Sequence, residues 1–188
     1  MNTTIVRPPV DANTIIQFWF NELNEKDWFS ADTKLDNLIR ERFLEIYQKA
    51  AAGELYTWRE SEEGRLAEII ILDQFSRNIF RGHGKAYATD DMALVLAQEA
   101  IANEADNKLP TKYKAFMYMP YMHSESKLIH EIAVKLFSQA GLESNLDYEM
   151  KHKSIIDRFG QFPHRNKVLN RESSMAEIEF LKEPGSSF

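Results

Sequence analysis

The chain of 188 residues contains no cysteine. This absence excludes disulfide bonds, thiol catalysis and thiolate metal sites, and it fits a reducing compartment such as the cytoplasm. Long apolar runs are also missing. The longest is Ile69-Ile70-Ile71-Leu72, far shorter than the ~20 residues that a membrane span requires, and the N-terminus has no apolar run of signal-peptide length. We therefore expect a soluble cytoplasmic protein with no membrane association.

The chain has fewer positively than negatively charged residues, and its formal net charge is −6 at pH 7. This balance argues against nucleic-acid binding, which depends on neutralising phosphates. The charge is unevenly spread, because the segment from Glu149 to Arg171 has more basic than acidic residues. Such a segment on an acidic protein is either a local anion site or a solvated face.

Strand signals are scarce, with no Asn-Gly or Asp-Gly hairpin pair and no sustained period-two alternation. Helix starts recur instead, because capping residues precede apolar stretches of helical spacing. These caps are Asp11, Asp32, Ser61, Thr89, Ser124 and the capping box from Ser174 to Glu177. We expect an all-α fold of roughly eight or nine helices packed as antiparallel pairs. One domain should span residues 1–188, with an N-terminal arm over 1–9 and a frayed tail over 184–188.

The sequence around residue 120 gives specific helix boundaries. Pro120 predicts the end of a short aromatic-rich helix, because proline removes a backbone donor and clashes with the preceding turn. Ser124 predicts the N-cap of the next helix. On that helix Leu128 falls on the apolar side, while His130 and Glu131 fall on the opposite side and are expected to face solvent.

A first polar cluster lies on the helix that follows Ser61. Asp73 and Arg77 have the i,i+4 spacing of an acid–base pair and fall on an apolar arc, where an unpaired charge would be prohibitive. Gln74, Asn78 and Arg81 extend this cluster. The pair either links neighbouring loops, points into a ligand cleft, or reaches water.

Two further clusters contain histidine. His123 and Glu125 flank the predicted cap Ser124, so His123 is an acid, a base or an anion donor, or it simply bonds a backbone carbonyl. The third cluster, from Asp157 to Asn166, contains a rigid bend at Gly160 and Pro163. The polar residues that it presents are Arg158, His164, Arg165 and Asn166.

Several catalytic and metal motifs are incomplete or missing. Glu149-x-x-His152 has the spacing of di-iron helical bundles, but that site needs two copies. His-Glu-x-x-His, a phosphate-binding glycine loop and Gly-x-Ser-x-Gly do not occur. We therefore expect no cofactor and no metal requirement for folding or activity.

The chain resembles the DUF924 family, a domain family of unknown function, from about residue 14 to residue 181. The matching segments are Phe18-Trp19-Phe20, Trp28-Phe29, Leu72 to Arg81, Tyr118 to Glu125 and Phe159 to Asn166. The resemblance implies a TPR-like, all-helical fold and no established reaction. Gln161 stands where the family usually has arginine, which would remove one charge from an anion site there.

Three hypotheses follow for function. In the first, one pocket binds a small anionic or polar ligand, with His123 or His164 available for proton transfer. Its ligand-binding residues would be Asp73, Gln74, Arg77, Asn78, Arg81, Glu125, Arg158, Arg165 and Asn166. In the second, a TPR-like scaffold binds a peptide or partner protein in a groove. In the third, the clusters are internal struts. The sequence does not indicate an oligomeric state.

The first hypothesis predicts that the three clusters share one concavity. Arg77 or Arg81 should lie there with His123 and with His164 or Arg165. Neighbouring arginines repel one another unless acids or a bound anion neutralise them. If the acids neutralise them only in part, sulfate, phosphate or a carboxylate should bind.

Overall fold

The computed structural model describes residues 10–187, and this part of the chain is all-helical without a strand. The α-helices are α1 (Ala12–Gln17), α2 (Thr33–Ala51), α3 (Glu62–Ile70), α4 (Ser76–Ile79), α5 (Asp90–Ala102), α6 (Thr111–Met122), α7 (Lys127–Phe137), α8 (Glu143–Phe159) and α9 (Met175–Phe180). Helices α3 and α4 are continuous through a π-helical segment, Ile71–Phe75. The all-α prediction is confirmed. The predicted arm at residues 1–9 lies outside the described residues.

Most of the predicted helix starts are confirmed by their caps. Asp11, Asp32 and Ser61 accept hydrogen bonds from backbone amides in the first turns of α1, α2 and α3. The capping box of Ser174 and Glu177 is complete at α9. These local bonds satisfy amides that the helix itself leaves without partners, so short sequence signals were enough to locate the helix ends.

The α3–α4 helix is the centre of the fold. It contacts α1, α2, α5 and α6, and its residues from Leu66 to Phe75, except Gln74, have no exposed surface. The buried rings of Trp19 and Phe43 pack against Phe75 of this helix. The π segment is a wider turn that interrupts the regular α-helical ladder, and such turns occur frequently at functional sites. It places Asp73 in the middle of the protein.

The predicted boundaries around residue 120 were wrong. Pro120 lies inside α6, which continues to Met122. The last turn of α6 is buried throughout, from Tyr118 to Met122, and this burial offsets the cost of a proline inside a helix. The N-cap of α7 is Ser126 rather than Ser124, whose hydroxyl accepts a hydrogen bond from the Ser126 amide at 3.2 Å.

The predicted outward face of α7 was wrong in part. His130 is 0% exposed, whereas Leu128 is 69% exposed and Glu131 faces solvent as expected. His130 can be buried because Glu149 of α8 provides a partner, with Nδ1 2.7 Å from Oε1. Its Nε2 also lies 2.8 Å from the Ser124 carbonyl oxygen. A buried histidine is tolerated when both of its ring nitrogens have partners. The spacing of residues along the helix does not reveal such partners, so it could not show that His130 faces inward.

Helices that are adjacent in sequence pack together at α6–α7 and at α7–α8. This agrees with the expected helix pairs, while the TPR-like arrangement remains a prediction. At the end of the chain, Ser186 is buried and donates to the Leu181 carbonyl at 3.2 Å. Between residues 10 and 187, no helix combines the length and apolarity that crossing a membrane demands.

Candidate functional site

The first part of the site is a histidine–carboxylate pair formed by His123 and Asp73. His123 follows the last residue of α6, and its Nδ1 lies 2.7 Å from Oδ1 of Asp73 in the π segment. Asp73 is fully buried, whereas 14% of the His123 side chain is exposed. Because a carboxylate accepts the hydrogen bond at Nδ1, the neutral imidazole carries its proton there and leaves Nε2 as an acceptor.

The surroundings of the pair change the proton affinities of both groups. Burial alone would raise the pKa of Asp73, but its interactions with His123 and Arg77 outweigh burial and hold that pKa well below the usual range. Burial and the charge of Arg77 lower the pKa of His123 by more than Asp73 raises it. At neutral pH the pair is therefore a carboxylate beside a neutral imidazole, the protonation state of a general base.

Arg77 connects this pair to α5. Its Nη1 lies 3.3 Å from Oδ1 of Asp73, so the ion pair predicted from the i,i+4 spacing is present. Its two terminal nitrogens each lie 3.0 Å from a carboxylate oxygen of Asp90. Since two parallel bonds fix a guanidinium more firmly than one contact, Asp90 is its main partner.

Arg165 brings the third cluster to the same place. Its Nη1 lies 3.3 Å from Oδ2 of Asp90, and its Nη2 donates to the His123 carbonyl at 3.1 Å. The guanidinium carbon lies 4.5 Å from the ring centres of both Tyr87 and Phe162. Arg165 therefore joins the loop after α8 to the end of α6 and to the start of α5.

An open cleft of about 360 Å³ lies over this assembly. The residues that line it come from the segment before α5, from α5 itself, from the end of α6 and from the loop after α8. They are Gly84, Tyr87, Ala88, Asp90, Asp91, Leu94, Pro120, His123, Ser124, Glu125, Arg165 and Leu169. Residues of the second and third clusters line this cleft. No residue of the first cluster lines it, and Arg77 reaches it only through its bonds to Asp90.

Three residues of the first cluster have other positions. Gln74 donates to the second oxygen of Asp73 at 2.5 Å and so supports the histidine–carboxylate pair. Asn78 and Arg81 instead bind Asp36 of α2, Asn78 through one bond of 2.8 Å and Arg81 through two bonds of 2.6 and 2.8 Å. Neither Asn78 nor Arg81 lines the cleft, because they lie on the side of the helix that faces α2.

Glu125 lines the cleft and fixes the loop after α8. It accepts a hydrogen bond from the Phe162 amide at 2.7 Å and two from Arg171, at 2.6 and 3.0 Å. Asn166 lies behind this loop and donates to Glu177 of α9 at 3.2 Å. Gln161 donates to the same carboxylate oxygen at 2.7 Å, so the position where the family usually has arginine faces α9.

The two catalytic candidates occupy different environments. His123 lines the cleft, whereas His164 does not, and its ring lies 5.7 Å from the ring of Phe162. Burial and the charge of Arg165 lower the pKa of His164 to about 4. Arg158 is exposed, with its guanidinium 4.6 Å from the Phe159 ring centre, and does not join the cluster.

Most charges of the site are paired. Arg77 and Arg165 share Asp90, Arg77 also contacts Asp73, and Arg171 is paired with Glu125. Three carboxylates thus match three guanidinium groups, His123 is neutral, and the exposed carboxylate of Asp91 adds one negative charge to the cleft wall. The predicted binding of a free anion depended on incomplete neutralisation, so this geometry gives it little support.

Several residues of the site were not among the predicted ones. They are Asp36, Asp90, His130, Glu149, His152 and Arg171. In the sequence, Asp90 and Asp36 look like ordinary first-turn acids of α5 and α2. Acids are common at helix N-termini because they interact favourably with the helix dipole, so their position alone does not indicate a site. The one available signal was Glu149-x-x-His152, whose two residues do face inward. Residues 10–187 contain no group of three or more histidine or acidic side chains that could hold a metal ion.

The family follows from comparison with known proteins. The chain belongs to DUF924, a family of bacterial proteins of unknown function, and matches it over residues 15–185. The membership predicted from the sequence motifs is therefore confirmed. The structure is similar to that of ATU0120, a protein of unknown function from Agrobacterium tumefaciens, with a TM-score of 0.87. The two sequences are 37% identical over 91% of this chain and 96% of that chain. No curated protein matches the chain.

Proposed function

We propose that the cleft binds a small polar ligand and that His123 accepts a proton from it or from a water molecule held beside it. The observation that carries this proposal is the 2.7 Å contact of Asp73 with Nδ1 of a histidine that lines the cleft. Within residues 10–187, the hydrogen bond of the His123 ring is the one between Nδ1 and Asp73. This leaves Nε2 as the acceptor of a base with a fixed tautomer on the wall of the cleft.

The buried carboxylate supports this role in two ways. It orients the imidazole, and it stabilises the imidazolium that forms when Nε2 takes a proton, as in histidine–aspartate pairs of hydrolases. Burial and, after it, the charge of Arg77 act in the opposite direction, because both lower the pKa of His123 and keep it neutral before a ligand arrives. The combination favours a base that is ready at neutral pH.

The size of the cleft favours a small molecule. About 360 Å³ lies near the lower end of the roughly 300–1,000 Å³ that small-molecule sites occupy. A TPR-like scaffold for peptides or proteins, the alternative proposal, would use a longer concave surface. The paired arginines and the exposed carboxylate of Asp91 favour a ligand that is polar without a net negative charge.

The state of His123 can be tested by nitrogen-15 NMR. We expect the Nδ1-protonated tautomer and a titration midpoint below the usual value near 6.5. Asp73→Asn should lower the midpoint further, because the imidazolium loses its carboxylate, and should release the tautomer. An Nε2-protonated tautomer, or a midpoint above 6.5 in the wild type, would contradict the proposed base.

Ligand binding can be tested by a thermal-shift screen of small polar metabolites. A ligand at 100 times its Kd adds about 2.7 kcal/mol of stability and raises the melting temperature measurably. We expect His123→Gln to weaken the binding of a ligand in this cleft by about tenfold, because the imidazole acceptor Nε2 is lost. His83→Gln, which changes an exposed histidine outside the cleft, should bind as the wild type does. Equal binding by both variants would mean that His123 does not face the ligand.

A further inference from the structure

Arg165 has more hydrogen-bonding capacity than its surroundings use. Its side chain is 7% exposed and lines the cleft. A guanidinium has five N–H donors, yet Arg165 donates only to Asp90 and to the His123 carbonyl among the described residues. Its Nε is buried without an acceptor there. Buried donors without an acceptor are rare in folded proteins, and a polar side chain of this kind on a cleft wall is typical of a ligand-binding position.

The bond from Arg165 to Asp90 is also weak. At 3.3 Å it is longer than a usual charge-assisted bond of about 2.7–2.9 Å. Asp90 forms its closer contacts with Arg77, so Arg165 shares a carboxylate that is already occupied. Burial lowers the pKa of Arg165, as expected for a cation whose charge is incompletely compensated. A ligand oxygen with negative charge would complete its coordination.

The opposite charge is also present in the cleft. Asp91 lines it and is exposed, and its carboxylate forms no hydrogen bond or ion pair with any other residue from 10 to 187. The neighbouring acids differ, since Asp90 is bound by Arg77 and Glu125 is bound by Arg171. Asp91 is therefore the acid of the cleft that remains available to a cationic group.

We propose that the ligand is a zwitterion, a small amino acid or amino-acid derivative whose carboxylate binds Arg165 and whose ammonium group faces Asp91. This inference rests on the proposed function, because Arg165 and Asp91 line the same cleft as His123. A ligand without net charge also preserves the balance of the surrounding ion pairs. A lone anion would meet Asp91 as a repulsive neighbour, and a lone cation would meet Arg165.

The experiment is isothermal titration of the full chain with compounds that differ in one charge. An ω-amino-acid series from glycine to 5-aminovalerate varies the distance between the two charges. Amides of the same compounds lack the carboxylate, and their N-acetyl derivatives lack the ammonium group. We expect one member of the series to bind at least tenfold more tightly than its amide, because a charged acceptor on Arg165 is lost. Its N-acetyl derivative should bind about threefold to fivefold less tightly, the scale of an exposed ion pair.

Variants assign the two charges to their residues. Asp91→Asn is an exposed substitution that should fold normally, and it should remove the preference for the free amine over the N-acetyl form. Asp147→Asn makes the same substitution at an exposed position of α8 outside the cleft, and it should keep that preference. Arg165→Lys should lower the preference for carboxylate over amide. Because Arg165 is buried, its variant is interpreted only if circular dichroism shows the native helix content.

The outcomes separate this inference from the function on which it rests. Compounds with one charge or none could bind as tightly as zwitterions, with His123→Gln weakening their binding. That result would exclude a zwitterionic ligand but would still support a polar-ligand site at His123. If Asp91→Asn and Asp147→Asn behave alike, the assigned position of the ammonium group is wrong. If neither these compounds nor a wider polar panel bind in a His123-dependent way, both proposals fail.

Discussion

Replacing Arg77 with alanine should lower the free energy of unfolding by about 3–5 kcal/mol at pH 8, the usual cost of breaking a buried ion pair. Asp73 has no exposed surface, and Arg77 is its guanidinium partner at 3.3 Å. The substitution also removes the two 3.0 Å bonds to Asp90, which would then depend on the weaker contact with Arg165. Two carboxylates therefore lose most of their compensation at once.

The loss should depend on pH in a defined direction. His123 lies 2.7 Å from Asp73 and can take a proton, which would restore a positive partner to the buried carboxylate. Removing Arg77 also removes a charge that lowers the pKa of His123, so protonation becomes easier. We therefore expect a smaller destabilisation at pH 5.5 than at pH 8.

Urea denaturation followed by circular dichroism measures both effects. Arg158→Ala is the matched control, because Arg158 is exposed and contacts only the faces of Phe159 and Phe180 among aromatic rings. This control should cost about 1 kcal/mol or less at either pH. A cost for Arg77→Ala below about 1 kcal/mol at pH 8 would show that Asp73 does not depend on this charge.

Much of the fold was predictable because its signals are local. A capping residue such as Asp11 or Ser61 bonds an amide three residues later, so both partners can be read from one short stretch of sequence. The Asp73–Arg77 pair is likewise contained within one helical turn. The alignment of these residues on an apolar arc was enough to place Asp73 in the interior.

The partners that complete the site were not predictable in this way. Asp36 is 42 residues from Asn78, and Arg165 is 75 residues from Asp90. Their pairing depends on which helices become neighbours, which a single sequence does not specify. His130 shows the same limit, because its inward position requires Glu149 on the next helix. The π segment was also missed, since a one-residue change in helical pitch leaves no clear mark in the apolar pattern.

Acidification should begin to destabilise the protein at pH values well above those at which carboxylates usually titrate. Burial lowers the pKa of His152 to about 3, by more than the hydrogen bond with the Tyr148 carbonyl raises it. Burial lowers that of His164 to about 4. In the unfolded chain these groups take up protons near pH 6.5. The native state therefore binds fewer protons than the unfolded state, and stability present above pH 6.5 is lost as the pH falls toward 4 and 3.

We expect the free energy of unfolding to fall by about 2 kcal/mol per pH unit between pH 6 and pH 4.5. His152 and His164 each contribute up to about 1.4 kcal/mol per unit, and the partial exposure of His164 reduces its share. His123 acts in the same direction, because burial and the charge of Arg77 lower its pKa as well. Glu149 acts in the opposite direction, because burial raises its pKa and the native state gains a proton there as the pH falls. The pKa of Asp73 is held low, so protonation of its carboxyl group reduces the stability of the protein only at more acidic pH.

Urea denaturation at a series of pH values tests this expectation. The readout is the slope of the free energy of unfolding against pH, because a substitution also changes the stability itself at every pH. His152→Gln removes the group with the largest shift and should reduce the slope by about half. His83→Gln removes a histidine whose side chain is exposed and should retain the wild-type slope. A wild-type slope near zero above pH 4.5 would mean that His152 and His164 are not kept neutral by the fold. A slope unchanged by His152→Gln would assign the acid sensitivity to other groups, because a histidine that stays neutral in the native state must contribute its proton uptake on unfolding.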